Sequence, residues 1–203
     1  MRKQKSMWRQ ETLGRVRLSR YFFMREFLYS EIGNIHRIPN IPENPDMAVA
    51  HGKRLCVQCL DPLVETFGVI SVRSGYRSPA LNRFGNENGL NCARNDHPWA
   101  RHVWDLPDEA GRGSACATIV IPWFADQYAE GRDWRHLAWW LARHIEFHDV
   151  WFFPKLCAFN IGWRDEPAGH IASYIAPKGT LHNGIGYALA IEFFPTFRGL
   201  SLP

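Results

Sequence analysis

Residues that could bind a metal ion are concentrated between positions 102 and 116. His102 and Asp105 place an imidazole and a carboxylate three positions apart, Asp108 and Glu109 follow, and Cys116 comes after the next turn. Imidazole, carboxylate and thiolate groups are the ligands that zinc uses in proteins. The cluster therefore predicts a metal site with His102 and Asp105 as candidate ligands. The alternative is that these acidic side chains form turns in a solvated loop, which is their commoner use.

Two other spacings resemble redox or metal motifs but have simpler interpretations. Cys56 and Cys59 have CxxC spacing, yet they fall in an apolar helical stripe, which favours core packing. His144 and His148 are four apart near an expected helix end, so we interpret them as two surface histidines. The five cysteines are an odd number among apolar neighbours, which predicts reduced thiols.

The composition limits the class of protein. The chain has 203 residues, of which 46% are hydrophobic and 22% charged, as expected for one folded domain rather than a disordered chain or a coiled coil. No run approaches the roughly 20 apolar residues of a membrane span. The basic segment Met1–Gln10 is not followed by an apolar stretch, which predicts cytoplasmic synthesis without a secretory signal peptide.

Positive charge is concentrated at the N-terminus. Residues 1–25 carry eight Lys or Arg and one Glu, a charge of +7, so the rest of the chain sums to −3 within a net charge of +4. Any attraction to a polyanion would therefore belong to this N-terminal arm. The alternative is a solvated tail without a partner.

The pattern of elements predicts an α+β fold with a largely antiparallel sheet, because helices come first and strands later. Helices are expected from Ser19 to about Ile32, from Asp46 to Phe67 with a break at Pro62, and from Asp133 to Ile145. The strands are expected at Val69–Arg73, Thr118–Ile121, Val150–Phe153, Ala158–Trp163 and His170–Ile175. Between them, Asn82–Arg112 is polar and predicts a long loop, which in a compact domain is either functional or disordered, and we expect chemistry or contacts there.

Several short motifs follow one another in the first 82 residues. They are Leu18-Ser19-Arg20-Tyr21-Phe22, Asn40-Ile41-Pro42, Leu60-Asp61-Pro62-Leu63 and Ser74-Gly75-Tyr76-Arg77-Ser78. In this order they resemble the zinc D-Ala-D-Ala carboxypeptidase and L-Ala-D-Glu endopeptidase family, and the similarity extends over most of residues 18–163. The resemblance implies a Hedgehog/DD-peptidase fold and hydrolysis of peptidoglycan stem peptides in the bacterial cell wall. It also implies an association with bacteriophages, where this family is frequent.

The resemblance divides the chain into three parts. A basic arm covers residues 1–17, a peptidase-like domain covers 18–178, and a C-terminal tail covers 179–203. Trp99, Trp104 and Trp123 flank the polar loop and are expected to contact sugar, peptide or a protein partner.

The family holds zinc with His, Asp and His, and uses an acidic general base. His102 matches the first ligand, but an insertion follows it, Thr118 stands where the ligand Asp is expected, and Asn160 where the last His is expected. Cys157 stands at the position of the general base. A hydroxyl and an amide are poor zinc ligands beside carboxylate and imidazole, so the zinc site is altered.

Arg77 is the residue whose family role transfers most directly. The resemblance implies that its guanidinium pairs with a substrate carboxylate or with the oxyanion of a tetrahedral intermediate. The alternative is a turn arginine that holds the long loop.

Two functions are compatible with these residues. One is a peptidoglycan peptidase, of phage or bacterial type, that uses a metal site rebuilt around His102. The other is a non-catalytic binding or structural module of the same fold, for example a virion component, which the arm and the tail attach to a protein assembly.

Overall fold

A mixed six-stranded sheet with helices packed against it is the main feature of the computed structural model, which describes residues 7–96 and 101–183. The helices are α1 (Met7–Gly14), α2 (Arg25–Leu28), α3 (Glu31–His36), α4 (Pro45–Leu55), α5 (Asp61–Phe67), α6 (Pro79–Glu87), α7 (Pro122–Ala129) and α8 (Arg135–His144). The strands are β1 (Ser71–Ser74), β2 (Ser114–Val120), β3 (Asp149–Phe152), β4 (Phe159–Arg164), β5 (His170–Ser173) and β6 (Gly179–Asn183).

The strands lie in the order β1-β2-β4-β3-β5-β6, and every neighbouring pair is antiparallel except β3 with β5. The predicted α+β class with a largely antiparallel sheet is therefore confirmed. The predicted strands are also found, with ends shifted by a few residues. The additional strand β6 falls in the first part of the predicted tail, and the remainder of that tail lies outside the described residues.

The predicted break in the second helix is confirmed as a π-helical turn, Cys56–Leu60, between α4 and α5. Pro62 has no N–H to donate to the preceding turn, so the regular hydrogen-bond ladder cannot continue through it. Asn44 begins α4 by accepting a hydrogen bond from the Met47 N–H, and Pro45 occupies the first turn.

The single helix predicted from Ser19 to Ile32 is wrong. The chain instead forms a tight turn in which Arg17 bridges Phe23, and the buried Leu18 and Phe22 fix it to the core. The short helices α2 and α3 follow, separated by an extended Tyr29. Ser30 accepts a hydrogen bond from the Gly33 N–H and so starts α3 as a new helix.

The predicted loop from Asn82 to Arg112 begins within a helix. Ser78 caps α6 by accepting a hydrogen bond from the Leu81 N–H, and Pro79 occupies its first turn. Asn82 and Asn86 look like loop residues, but their amide groups donate to the carbonyls of Ala93 and Cys92. The polar side of this helix therefore fixes the following loop.

The core lies between the sheet and the helices. Cys56 and Cys59 are buried within it as free thiols, as predicted, and Cys92, Cys116 and Cys157 are also free. His144 is exposed at the end of α8, but His148 is buried and its Nδ1 lies 3.0 Å from the Glu166 carbonyl, so the prediction of two surface histidines is only half right.

The predicted contact tryptophans are mostly structural. Trp104 is fully buried against Phe27, and its indole N–H donates to the Cys116 carbonyl. Trp123 is partly buried and stacks on Phe67, while Trp99 lies outside the described residues. In the part of the chain that the structure describes, no helix is long and apolar enough to cross a lipid bilayer.

Candidate functional site

One row of side chains is left uncovered on the otherwise buried strands β2, β3 and β4. On β2, β4 and β3 the single positions that are not buried are Thr118, Asn160 and Trp151. Thr118 is the register partner of Asn160, and Asn160 is the register partner of Trp151, so the three side chains lie side by side across the strands. Ser74 of β1 extends the row beyond Thr118.

Thr118, Asn160 and Trp151 form part of the wall of a cleft of about 820 Å³. His102 and Arg77 also line the cleft, as do the rings of Phe153 and Tyr174. The described residues that line it include three arginines and no aspartate or glutamate. Arg94 is paired with Asp96, so the positive charge that has no ion-pair partner among the described residues comes from Arg77 and Arg101. The cleft is large enough for a ligand of several residues.

His102 is a neutral imidazole. Its side chain is buried, and burial together with the charge of Arg77 lowers the pKa of His102 to about 3. Nδ1 lies 2.6 Å from the Gly75 carbonyl oxygen, which fixes this nitrogen as the protonated one and leaves Nε2 as an acceptor. The His102 carbonyl in turn accepts a hydrogen bond from the Arg77 N–H.

Gly75 is needed for this arrangement. A Cβ at this position would lie 2.7 Å from the Phe27 backbone, closer than packed atoms approach. The absence of a side chain therefore lets the Ser74–Ser78 turn pack against Phe27 and present its carbonyl to His102.

Thr118 and Asn160 satisfy each other. The Thr118 hydroxyl donates to the Asn160 side-chain oxygen at 2.5 Å, and the Asn160 side chain is also hydrogen-bonded to His102. The structure thus brings together His102, Thr118 and Asn160, the three positions at which the sequence resemblance implies zinc ligands. Of the three side chains, only the imidazole is a strong zinc ligand.

Cys116 lies behind His102, with Sγ 3.9 Å from Nε2. The thiol is fully buried, and burial raises the pKa of Cys116 well above its ordinary value. Cys116 is therefore a neutral thiol and not a thiolate ligand.

Asp105, predicted to bind a metal together with His102, has another role. One carboxylate oxygen accepts a hydrogen bond from the Tyr76 hydroxyl at 3.0 Å, and the other accepts from the backbone N–H groups of Glu43 and Asn44 at 2.7 and 3.1 Å. These four residues join the loop after His102 to the start of α4. Asp105 does not line the cleft.

The other acidic residues of this loop also act elsewhere. Asp108 forms ion pairs with Arg112 at 2.8 Å and with the largely buried Arg164 of β4 at 2.9 Å, whereas Glu109 is exposed. Throughout residues 7–96 and 101–183, no three His, Cys, Asp or Glu side chains lie close enough to hold one metal ion. The described residues therefore do not fit the zinc site that the resemblance implies.

Cys157 is not placed to act as a general base. It lies in a 3-10 turn before β4, is 2% exposed and does not line the cleft. Burial raises the pKa of Cys157 to about 12, so the thiol stays protonated at neutral pH.

Arg77 lines the cleft and is held by neutral groups. Its guanidinium donates to the Ser74 hydroxyl at 3.0 Å, the Cys92 sulfur at 3.2 Å and the Asn82 side-chain oxygen at 3.5 Å. Among the described side chains, no carboxylate forms an ion pair with it. Its side chain is oriented without being neutralised, which leaves its charge available to an anionic ligand.

Two further arginines were not identified from the sequence. Arg101 is buried beside His102, donates to the carbonyls of Asn95 and Leu106, and has a pKa lowered mainly by burial. Arg94 is exposed and pairs with Asp96 at 2.6 Å. The signal that could have identified Arg101 is its position directly before His102.

An aromatic group, which we call the aromatic wall, consists of Trp151, Phe153 and Tyr174 and also lines the cleft. The Tyr174 ring lies 5.5 Å from that of Phe153 at 24° and 5.7 Å from that of Trp151 at 36°. Tyr174 is 52% exposed and the other two are partly buried. In the sequence, Trp151 and Phe153 belong to an aromatic segment for which core packing is the default interpretation and an interface the second, and no pattern singles out Tyr174.

Comparisons of the chain with protein-family models, with curated proteins and with solved structures found no match. The interpretation of the cleft therefore depends on its own residues and on the motif resemblance.

Proposed function

We propose that this chain is a peptidoglycan-peptidase-like domain, of Hedgehog/DD-peptidase type, that binds a carboxylate-bearing stem peptide without hydrolysing it. The observation that carries the proposal is that one cleft contains both Arg77 and the His102–Thr118–Asn160 group. Arg77 has no acidic partner among the described residues, and the group lacks two of the three expected zinc ligands. The domain would act at the cell wall, either as a virion component or as a protein delivered there.

The argument against hydrolysis comes from the donor atoms. A catalytic zinc needs three protein ligands and an open position for water. Thr118 and Asn160 are neutral and hydrogen-bonded to each other, and the Cys157 thiol is buried and protonated. No side chain in this group can therefore act as the carboxylate base that activates a water molecule.

The argument for binding an anion comes from charge and geometry. Arg77, Arg94 and Arg101 line the cleft; Arg94 is paired with Asp96, whereas Arg77 and Arg101 form no ion pair with a described carboxylate. A stem peptide carries several carboxylates, and a guanidinium recognises each of them with two parallel hydrogen bonds. The neutral imidazole of His102 adds no repulsion to a cationic ligand group.

The proposal is tested by calorimetric titration of the whole chain with the tripeptide L-Ala-γ-D-Glu-diaminopimelate. Arg77→Gln should weaken binding by about tenfold or more, because a charge-assisted hydrogen bond contributes roughly 1.5–3 kcal/mol. Arg73→Gln is the matched control, since Arg73 is exposed on β1 and does not line the cleft. Equal affinities of the two variants, or no binding by the unmodified chain, would overturn the proposal.

The absence of hydrolysis is tested by mass spectrometry of the same peptide, and of intact peptidoglycan, after incubation with the chain and zinc. We expect both substrates to be unchanged. A cleaved product that disappears in His102→Ala would show instead that the chain is a hydrolase with a rebuilt metal site.

A further inference from the structure

Arg101 is a buried positive charge in the wall of the cleft. The residue is only 7% exposed, and one terminal nitrogen of its guanidinium donates to the carbonyls of Asn95 and Leu106 at 3.2 and 2.9 Å. Its Nε is buried and has no hydrogen-bond partner among the described residues. A guanidinium stays charged in a protein, and a buried charge is unfavourable unless it is paired and hydrogen-bonded. Arg101 therefore lacks part of the pairing that its burial requires.

The carboxylates near Arg101 are already engaged by other arginines. Asp96 and Asp108 are the two acidic residues whose charge acts on Arg101. Asp96 accepts two hydrogen bonds from Arg94, at 2.9 and 2.6 Å, and Asp108 accepts from Arg164 at 2.9 Å and from another arginine at 2.8 Å. Neither forms an ion pair with Arg101. Arg164 also adds its own positive charge, so this part of the described structure has an excess of cations over anions.

The rest of the cleft favours a ligand with more than one negative charge. Arg77 provides a second guanidinium without an acidic partner among the described residues, and the described lining contains no Asp or Glu. A carboxylate supplies one negative charge, whereas a phosphate monoester carries about −1.5 to −2 at pH 7 and offers three strong acceptor oxygens. Its charge therefore matches two guanidinium groups more closely than a carboxylate does.

We infer that Arg101 anchors an oxyanion subsite for inorganic phosphate or for the phosphate group of a monoester. The two carbonyls that accept from Arg101 hold its guanidinium in place before a ligand arrives, which reduces the entropy lost on binding. The subsite goes beyond the proposed function, because that function requires only the carboxylates of a peptide and assigns their recognition to Arg77.

The test is calorimetric titration of the whole chain with inorganic phosphate and with acetate, at constant ionic strength in chloride buffer. Phosphate should bind about tenfold or more tightly than acetate, because it makes additional charge-assisted hydrogen bonds. Arg101→Gln should weaken phosphate binding by about tenfold or more. Arg73→Gln is the matched control, since Arg73 is exposed and does not line the cleft, and its affinity for phosphate should equal that of the unmodified chain.

A second readout covers the risk that Arg101→Gln loosens the loop that it holds. Phosphate should raise the unfolding temperature of the unmodified chain and of Arg73→Gln but not that of Arg101→Gln, because a ligand stabilises only the folded protein that binds it. If Arg101→Gln does not fold, Arg101→Lys replaces it. This variant keeps the charge but lacks the planar fork of donors, and it should weaken phosphate binding by about threefold or more.

Methyl phosphate distinguishes the two sources of the phosphate group. Binding as tight as that of inorganic phosphate would show that the subsite accepts esters, and binding of inorganic phosphate alone would show that it holds the free ion. Equal affinities for phosphate and acetate, no binding of phosphate, or full phosphate affinity in Arg101→Gln would overturn the inference.

The inference and the proposed function can fail separately. If the stem tripeptide binds and phosphate does not, the proposed function stands and the phosphate subsite is overturned. If phosphate binds in an Arg101-dependent way and the tripeptide does not bind, the subsite stands and the proposed function is overturned.

Discussion

At the scale of single residues, the site depends on which groups carry charge and which do not. His102 is buried beside Arg77, and both effects disfavour a second positive charge. The same imidazole donates to the Gly75 carbonyl, so one hydrogen bond fixes its tautomer and its orientation. Arg77 therefore supplies positive charge in this part of the cleft while His102 stays neutral.

The neutral imidazole makes a specific contribution to the pH dependence of stability. The pKa of His102 is lowered from 6.5 to about 3 on folding, so between these values the unfolded chain takes up a proton that the folded chain does not. The free energy of unfolding should therefore fall as the pH drops from 6.5 towards 3, by up to ~1.4 kcal/mol per pH unit from this group. Urea unfolding of the unmodified chain and of His102→Gln, at several pH values in this range, measures the difference.

The expected result is that His102→Gln has a smaller slope of stability against pH than the unmodified chain. His36→Gln is the control, because His36 is exposed, and its slope should match that of the unmodified chain. Identical slopes for all three proteins would show that His102 is not the buried neutral group described here.

At the scale of elements, the cleft is made by the register of the sheet. Thr118 and Asn160 lie 42 positions apart in the sequence but face each other because β2 and β4 are paired. His102 reaches them from a loop that Asp105 fixes to Tyr76 and to the start of α4. The side chains at this site can therefore be exchanged without moving the strands that position them.

This arrangement predicts that zinc ligands can be restored. In the double variant Thr118→Asp, Asn160→His, a carboxylate and an imidazole would stand next to His102, which gives three protein ligands and an open fourth position. We expect about one zinc per chain by elemental analysis after dialysis.

The same double variant with His102→Ala is the control and should lose the metal. The unmodified chain, treated in the same way, gives the baseline. If the double variant binds no more zinc than the triple variant, the three positions do not converge as the structure places them.

Much of this organisation could be predicted from local sequence signals. Pro62 indicated the break before α5, and the apolar runs around β2, β3 and β4 indicated strands. The helix α6 is not predicted because asparagines are typical of loops, although Ser78 and Pro79 are start signals.

The site residues are harder to predict than the elements. The sequence predicts a metal role for Asp105 because it shows the distance of Asp105 from His102 along the chain, but it does not show the Tyr76 hydroxyl and the backbone N–H groups that donate to this carboxylate. The aromatic wall depends on strand pairing and could not be predicted from spacing.

At the scale of the whole molecule, positive charge occurs in two places, the N-terminal segment and the cleft. Residues 1–25 carry +7 and the remainder sums to −3, so attraction to a polyanion over long distances should come from the N-terminal part. Within the described part of this segment, Arg15 and Arg20 each have side chains 72% exposed. Their partners Glu11 and Glu65 are exposed too, and such surface ion pairs contribute little to stability.

The two surfaces should therefore be separable by substitution. Arg15→Gln with Arg20→Gln should elute from a heparin column at lower salt than the unmodified chain, because fewer cations contact the polyanion and counterion release is reduced. Binding of the stem tripeptide should be unchanged in this variant, since neither residue lines the cleft. Arg77→Gln should show the opposite result, with weaker tripeptide binding and an elution salt close to that of the unmodified chain. If Arg77→Gln lowers heparin retention as much as the double variant, the cleft itself is the polyanion site, and the basic segment 1–25 is solvated without a polyanion partner.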